Sequence, residues 1–139
     1  MTIELDEQTY ATLAGPILDQ EEFAAALGTT VKGVRSALSD QRIVGVKVGT
    51  PKVLHIPEAF LIEAHRANPA DLKPEVDAGK RVILPSIQGT IIMLRDMGLN
   101  DHEIVIWLFT EHEELGDTPV AMLRSGNRSA VRRAAQSLL

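Results

Sequence analysis

The 139-residue chain has no cysteine, which excludes disulfides, thiolate zinc sites and cysteine nucleophiles together. Aromatic residues are scarce at 4%, with three Phe, one Trp and one Tyr, so the core must be mostly aliphatic. No apolar run approaches the roughly 18 residues that a membrane-crossing helix needs. The N-terminal MTIELDEQTY is acidic and lacks the charged-then-apolar layout of a signal peptide. A cytoplasmic protein without membrane association is expected. Bases are missing from residues 1–28, which carry six acids: Glu4, Asp6, Glu7, Asp19, Glu21 and Glu22.

What is present suits a folded chain: 45% hydrophobic residues, 24% charged residues and a mean hydropathy of +0.03. The length allows one ordinary domain, or two very small ones sharing a core, and leaves little room for a large catalytic cleft. The net charge of −5 conceals a local excess of bases. Residues 29–56 hold Lys32, Arg35, Arg42, Lys47 and Lys52 against Asp40 alone, a net charge of +4.

Punctuation by Gly, Pro and capping residues divides the chain. Residues 1–16 read as an acidic, irregular N-terminal arm closed by Gly15 and Pro16. Asp19 and Glu22 have capping-box spacing ahead of a helix that ends at Gly28, and Thr30 is the natural cap of a second helix, Val31–Ser39. RIVGVKV, the turn GTP and KVLHI read as a β-hairpin, and PEAFLIEAHRA as a helix opened by Pro57. NPADLKPEVDAGK marks a linker over 68–81, separating a unit over 17–67 from a helical one over 82–139. In the latter, one helix ends at Gly98, Asn100 and Glu103 box the next, Thr118 and Pro119 open a third, and Asn127 caps the last.

Two short helices joined by the three-residue turn GTT match the helix-turn-helix, whose second helix enters the major groove. If Val34, Ala37 and Leu38 face the core, then Val31, Lys32, Arg35, Ser36 and Ser39 face solvent, where Lys and Arg reach phosphates or guanine acceptors. Gly33 would leave room for close approach. Thr29 or Thr30 could give a phosphate contact at the helix N-terminus. Arg42, Lys47 and Lys52 would hold phosphates from a wing formed by the hairpin. The competing account of these bases is a solvated helix face beside a hairpin.

At this point the sequence resembles a family. DQEEFAAALGTTVKGVRSALSDQRIVGVKVG followed by KVLHIPEAFL looks like the excisionase or MerR-type winged helix-turn-helix, with its Ala-x-x-Leu-Gly turn, Val-Arg recognition helix, basic wing and Ile-Pro exit. Gln41 departs from it, standing where that pattern has Gly before the Arg that starts the wing. LRDMGLNDHEIVIWLFTEHEELGDTPVAMLRSGNRSAVRRAAQSL resembles the C-terminal domain of a small actinobacterial DNA-binding family that includes a mycobacterial regulator phosphorylated by a Ser/Thr kinase. The same tail is also similar to the toxin-binding domain of Xre-type antitoxins, which implies a partner toxin instead. The resemblance implies a mainly α protein, an N-terminal winged helix-turn-helix with a small β-hairpin wing followed by a C-terminal helical domain. Its implied partners are double-stranded DNA, a Ser/Thr protein kinase acting on an N-terminal threonine, and a second copy in a homodimer. Thr9, set among acids in DEQTY, is the threonine that suits a kinase.

Other constellations are thinner. His102, Glu103, His112, Glu113 and Glu114 do not have HExxH spacing, and no metal or cofactor is expected. Neither a phosphate loop nor a nucleophile–base pair can be drawn, so no enzyme is expected. Trp107, Leu108 and Phe109 read as core. Arg124, Arg128, Arg132 and Arg133 follow the last acid, Asp117. They would supply a second phosphate contact, a partner surface, or a solvated C-terminal helix suited to its dipole. The reading that results is a sequence-dependent DNA binder and transcriptional regulator.

Overall fold

A computed structural model of the chain describes residues 4–64 and 80–138. Where the sequence suggests an irregular lead-in, Asp6 accepts a hydrogen bond from the Thr9 amide and caps a helix, α1 (Glu7–Ala14). Tyr10 is the reason the segment is ordered: its ring is fully buried, with Leu5 and Ala14 buried beside it. Burial of an aromatic side chain of this size is worth a few kcal/mol, enough to hold a short helix against the core.

Strand β1 (Ile17–Asp19) leads into α2 (Gln20–Leu27), started by the Asp19–Glu22 capping box and ended by Gly28 in the left-handed region at φ 81°. Thr30 caps α3 (Val31–Ser39) by accepting from the Gly33 amide at 3.1 Å. Strands β2 (Val46–Val48) and β3 (Val53–Pro57) form the expected hairpin, but of RIVGVKV only the last three residues are strand. β1 joins it on the far side of β3, giving an antiparallel sheet in the order β1-β3-β2, so the base of the wing is three strands wide.

The helix expected from Pro57 does not form over 57–63, and 65–67 of that stretch lie outside the described residues. A single 3-10 turn (Glu58–Phe60) is followed by β4 (Leu61–Glu63), antiparallel to β5 (Arg81–Ile83). Phe60, Leu61 and Ile62 are buried in succession, which a strand covered on both faces allows and a one-stripe amphipathic helix does not. Of the linker expected over 68–81, residues 68–79 lie outside the described residues. The Lys80 carbonyl accepts from the Ala64 amide and Arg81 begins β5, so both belong to the ladder.

The rest of the chain is helical: α4 (Ile87–Asp96), α5 (Asp101–Phe109), α6 (Pro119–Arg124) and α7 (Arg128–Gln136). Asn100 and Glu103 form a complete capping box, and Thr118 accepts from the Ala121 amide. Asn127 precedes α7 without capping it: its backbone, at φ −89° and ψ 53°, lacks the extended conformation of the other caps, and its side-chain NH2 donates to Ser125 Oγ.

One core joins the halves. Phe60 packs on Phe109 with ring centroids 5.6 Å apart. The Arg124 guanidinium donates to the carbonyls of Ala59 and Leu61 at 2.8 and 2.7 Å. The Leu5 amide donates to His102 Nδ1 at 2.9 Å. Trp107 and Leu108 are buried, while Phe109 is half-buried. Among the described residues no helix is long and apolar enough to cross a membrane.

Candidate nucleic-acid interface

Helix α3 presents two faces of opposite chemistry. Val34 and Ala37 are fully buried where α3 packs on α2, and Leu38 is half-buried. Lys32, Arg35, Ser36 and Ser39, at successive i, i+3 and i, i+4 spacings, are all exposed and share the opposite face. Val31, expected in solvent, is half-buried and packs on the core.

The N-terminus of α3 carries two exposed threonines. Thr30 Oγ1 is engaged as the cap acceptor, which leaves its hydroxyl proton free to donate outward. Thr29 folds back over Gly33. A Cβ on Gly33 would collide with Thr29 Oγ1, so the space at Gly33 accommodates this chain's own side chain rather than an approaching ligand.

The other basic residues lie around the hairpin. Lys47 projects from the exposed side of β2, and Lys52 stands in the turn to β3, which contains a cis Thr50–Pro51 peptide. Arg42, between α3 and β2, is exposed with the Asp40 carboxylate 4.0 Å away, so part of its charge is offset locally. All eight residues singled out by sequence (Thr29, Thr30, Lys32, Arg35, Ser36, Arg42, Lys47 and Lys52) are exposed, on α3, the turns at its two ends and the hairpin.

Two features were not legible from the pattern of bases. Glu4, Asp6 and Glu7 line a groove with Lys47 and Lys52, and the Glu7 carboxylate lies against Gly49 at the wing tip, 3.3 Å from where a Cβ would stand. The start of α1 therefore sets negative charge beside the wing. The Thr9 amide holds the Asp6 carboxyl below its usual range, keeping that charge in place at mildly acidic pH. Thr9 itself is exposed in the first turn of α1. The second feature is Gln41, at φ 63° in the left-handed region where the family pattern has Gly. Its Oε1 accepts from Arg95 Nε at 2.6 Å, and Gln88 of α4 donates to the Asp40 carbonyl at 2.9 Å. The turn between α3 and the wing is thus held from the C-terminal half.

Residues 84–138 match the family model of the Rv2175c C-terminal domain, a domain of unknown function. The chain is also similar to the NMR structure of Rv2175c, a mycobacterial protein, with a TM-score of 0.63 at 26% identity over 88% of this chain and 80% of that one. Comparison with the curated proteins gives no match. The likeness to Rv2175c extends well beyond the C-terminal segment that the family model matches, so it takes in winged-module residues as well.

The two histidines weighed as metal ligands have separate partners. His102 accepts from Leu5, and His112 Nε2 lies 3.2 Å from the Trp107 carbonyl with its ring 4.9 Å from the indole. Among the described residues no three acidic or His side chains come together as a metal site would require.

Proposed function

We propose that the protein binds double-stranded DNA, with α3 in the major groove and the β2–β3 wing on the phosphate backbone, and acts as a transcriptional regulator rather than an enzyme. The observation that carries this reading is the exposed Lys32, Arg35, Ser36 face of α3, rigidly backed by Val34 and Ala37. Lys32 and Arg35 supply donors to guanine or phosphate, and Ser36 bonds to either base edge or backbone. Thr29 and Thr30 meet a phosphate at the helix N-terminus, while Arg42, Lys47 and Lys52 hold the strand that the wing crosses. A homodimer would set two α3 helices on half-sites about one helical turn apart. The exposed Thr9 hydroxyl, beside the acids that face the wing, is where a Ser/Thr kinase would add negative charge and weaken binding.

Selection from a random duplex pool tests the reading. The wild-type protein should enrich a defined motif, and K32A/R35A should enrich none. Failure of the wild type to enrich any motif contradicts sequence-dependent binding. A partner-protein reading, of the antitoxin kind, is favoured by an apolar groove beside Trp107 lined by Leu99, Ile106 and Leu138, the last 49% exposed. Co-purification of a stoichiometric second protein, lost on Leu138→Asp, would support that reading.

A further inference from the structure

Helices α4 and α7 meet in a second basic cleft, away from α3. Ser86, Gly89, Thr90 and Met93 on one side and Arg128, Ser129 and Arg132 on the other line a cavity of about 390 Å³. Gln88 and Arg95, which reach Asp40 and Gln41, project from the opposite side of α4, so the cleft opens away from the recognition helix.

Four properties of this cleft point to an anion. Arg128 and Arg132 are exposed one turn apart, and neither forms an ion pair among the described residues. None of the lining residues is acidic. Thr90 is only 7% exposed and lines the cleft, and its hydroxyl has no hydrogen-bond partner among the described residues, which leaves its proton for a group seated there. Both helices also begin without a side-chain cap: Ser86 Oγ turns to the Pro85 carbonyl and Asn127 to Ser125, so first-turn amides are left for another acceptor.

A solvated helix suited to its dipole accounts for Arg133 in the last turn of α7, but it does not account for Arg128. Arg128 is the first residue of the helix, where the positive end of the dipole disfavours a cation. An anion seated between them would reverse that penalty.

We propose that this cleft binds a phosphate group. The guanidinium forks of Arg128 and Arg132 take two of its oxygens, the hydroxyls of Thr90 and Ser129 donate to the others, and the uncapped amides complete the shell. The phosphate is carried either by a small phosphate compound or by a second stretch of duplex, and the site does not depend on what α3 contacts.

Titration of the full chain with inorganic phosphate and with pyrophosphate, followed by ¹H–¹⁵N NMR, tests the site. Saturable shifts are expected at the amides of Ser86–Thr90 and Arg128–Arg132. R128Q/R132Q should bind about tenfold more weakly or worse, Thr90→Val about threefold more weakly, and K32A/R35A like the wild type. The two arginines are exposed, so the double variant should melt with the wild type. Absence of saturable shifts at these amides, or equal shifts in R128Q/R132Q, overturns the proposal. Duplex binding by R128Q/R132Q then identifies the source. Affinity equal to wild type assigns a small phosphate compound, and weaker binding with a shallower salt dependence assigns duplex phosphate.

Discussion

Tyr10 links the acidic N-terminal helix to the wing. Its hydroxyl donates to the His55 carbonyl at 2.9 Å from a fully buried ring, and burial pushes its pKa far above the ordinary value of 10.0. A phenol whose ionisation is opposed by burial in the folded state contributes stability that is intact below pH 10 and lost as the pH rises beyond it. Tyr10 is the sole tyrosine, so its ultraviolet ionisation should appear only with alkaline unfolding, and Tyr10→Phe should cost about 1 kcal/mol at neutral pH. Ionisation near pH 10 in a chain that stays folded would contradict this placement. Gln41 makes a second prediction at the same scale. Its left-handed backbone costs about 1 kcal/mol relative to Gly, offset by the bond from Arg95. Gln41→Ala removes the bond and keeps the strain, whereas Gln41→Gly removes both. In urea denaturation Gln41→Gly should therefore be the more stable variant by about 1 kcal/mol. The departure from Gly was visible at this position in the sequence, but the residue that compensates it, 54 positions away, was not.

At the scale of elements, capping chemistry was the most legible signal. Asp19–Glu22, Thr30, Asn100–Glu103 and Thr118 all cap where their spacing places them, because a cap is a contact across three or four residues and its partners are written side by side. On α3, the exposure of Lys32, Arg35 and Ser36 was legible too, since helical periodicity separates them from Val34 and Ala37. Elements defined by distant partners were not. The strands β4 and β5 depend on each other across the segment between them, and α1 depends on a pocket for Tyr10 built by later residues. The acids that α1 places against the wing yield a prediction at this scale. E4Q/E7Q should tighten duplex binding about twofold to fivefold at low salt, with the gain fading as salt rises. Thr9→Glu should weaken binding under the same conditions. Anisotropy titrations that leave both variants equal to wild type would separate α1 from any influence on the wing.

At the scale of the whole molecule, the winged module and the helical half share one core. The Phe60–Phe109 contact, the Arg124 bonds to Ala59 and Leu61, and the Arg95–Gln41 bond all cross between them. Tyr10 and Trp107 are single reporters in the two halves. Unfolding followed by tyrosine absorbance and by tryptophan fluorescence should give coincident midpoints, and two separated transitions would contradict a shared core. The charge of the molecule is organised at this scale too: a net charge of −5 surrounds a segment of +4, so affinity for an anionic partner rests on few contacts. The most direct measurement is fluorescence anisotropy of the protein on duplex DNA over a range of salt concentrations, alongside K32A/R35A. About five phosphate-directed bases predict a slope of about −4 to −5 in log K against log salt, shallower by about two and with much weaker binding in the double variant. Absence of binding at low salt, or binding unchanged in K32A/R35A, would contradict α3 as the surface that meets DNA.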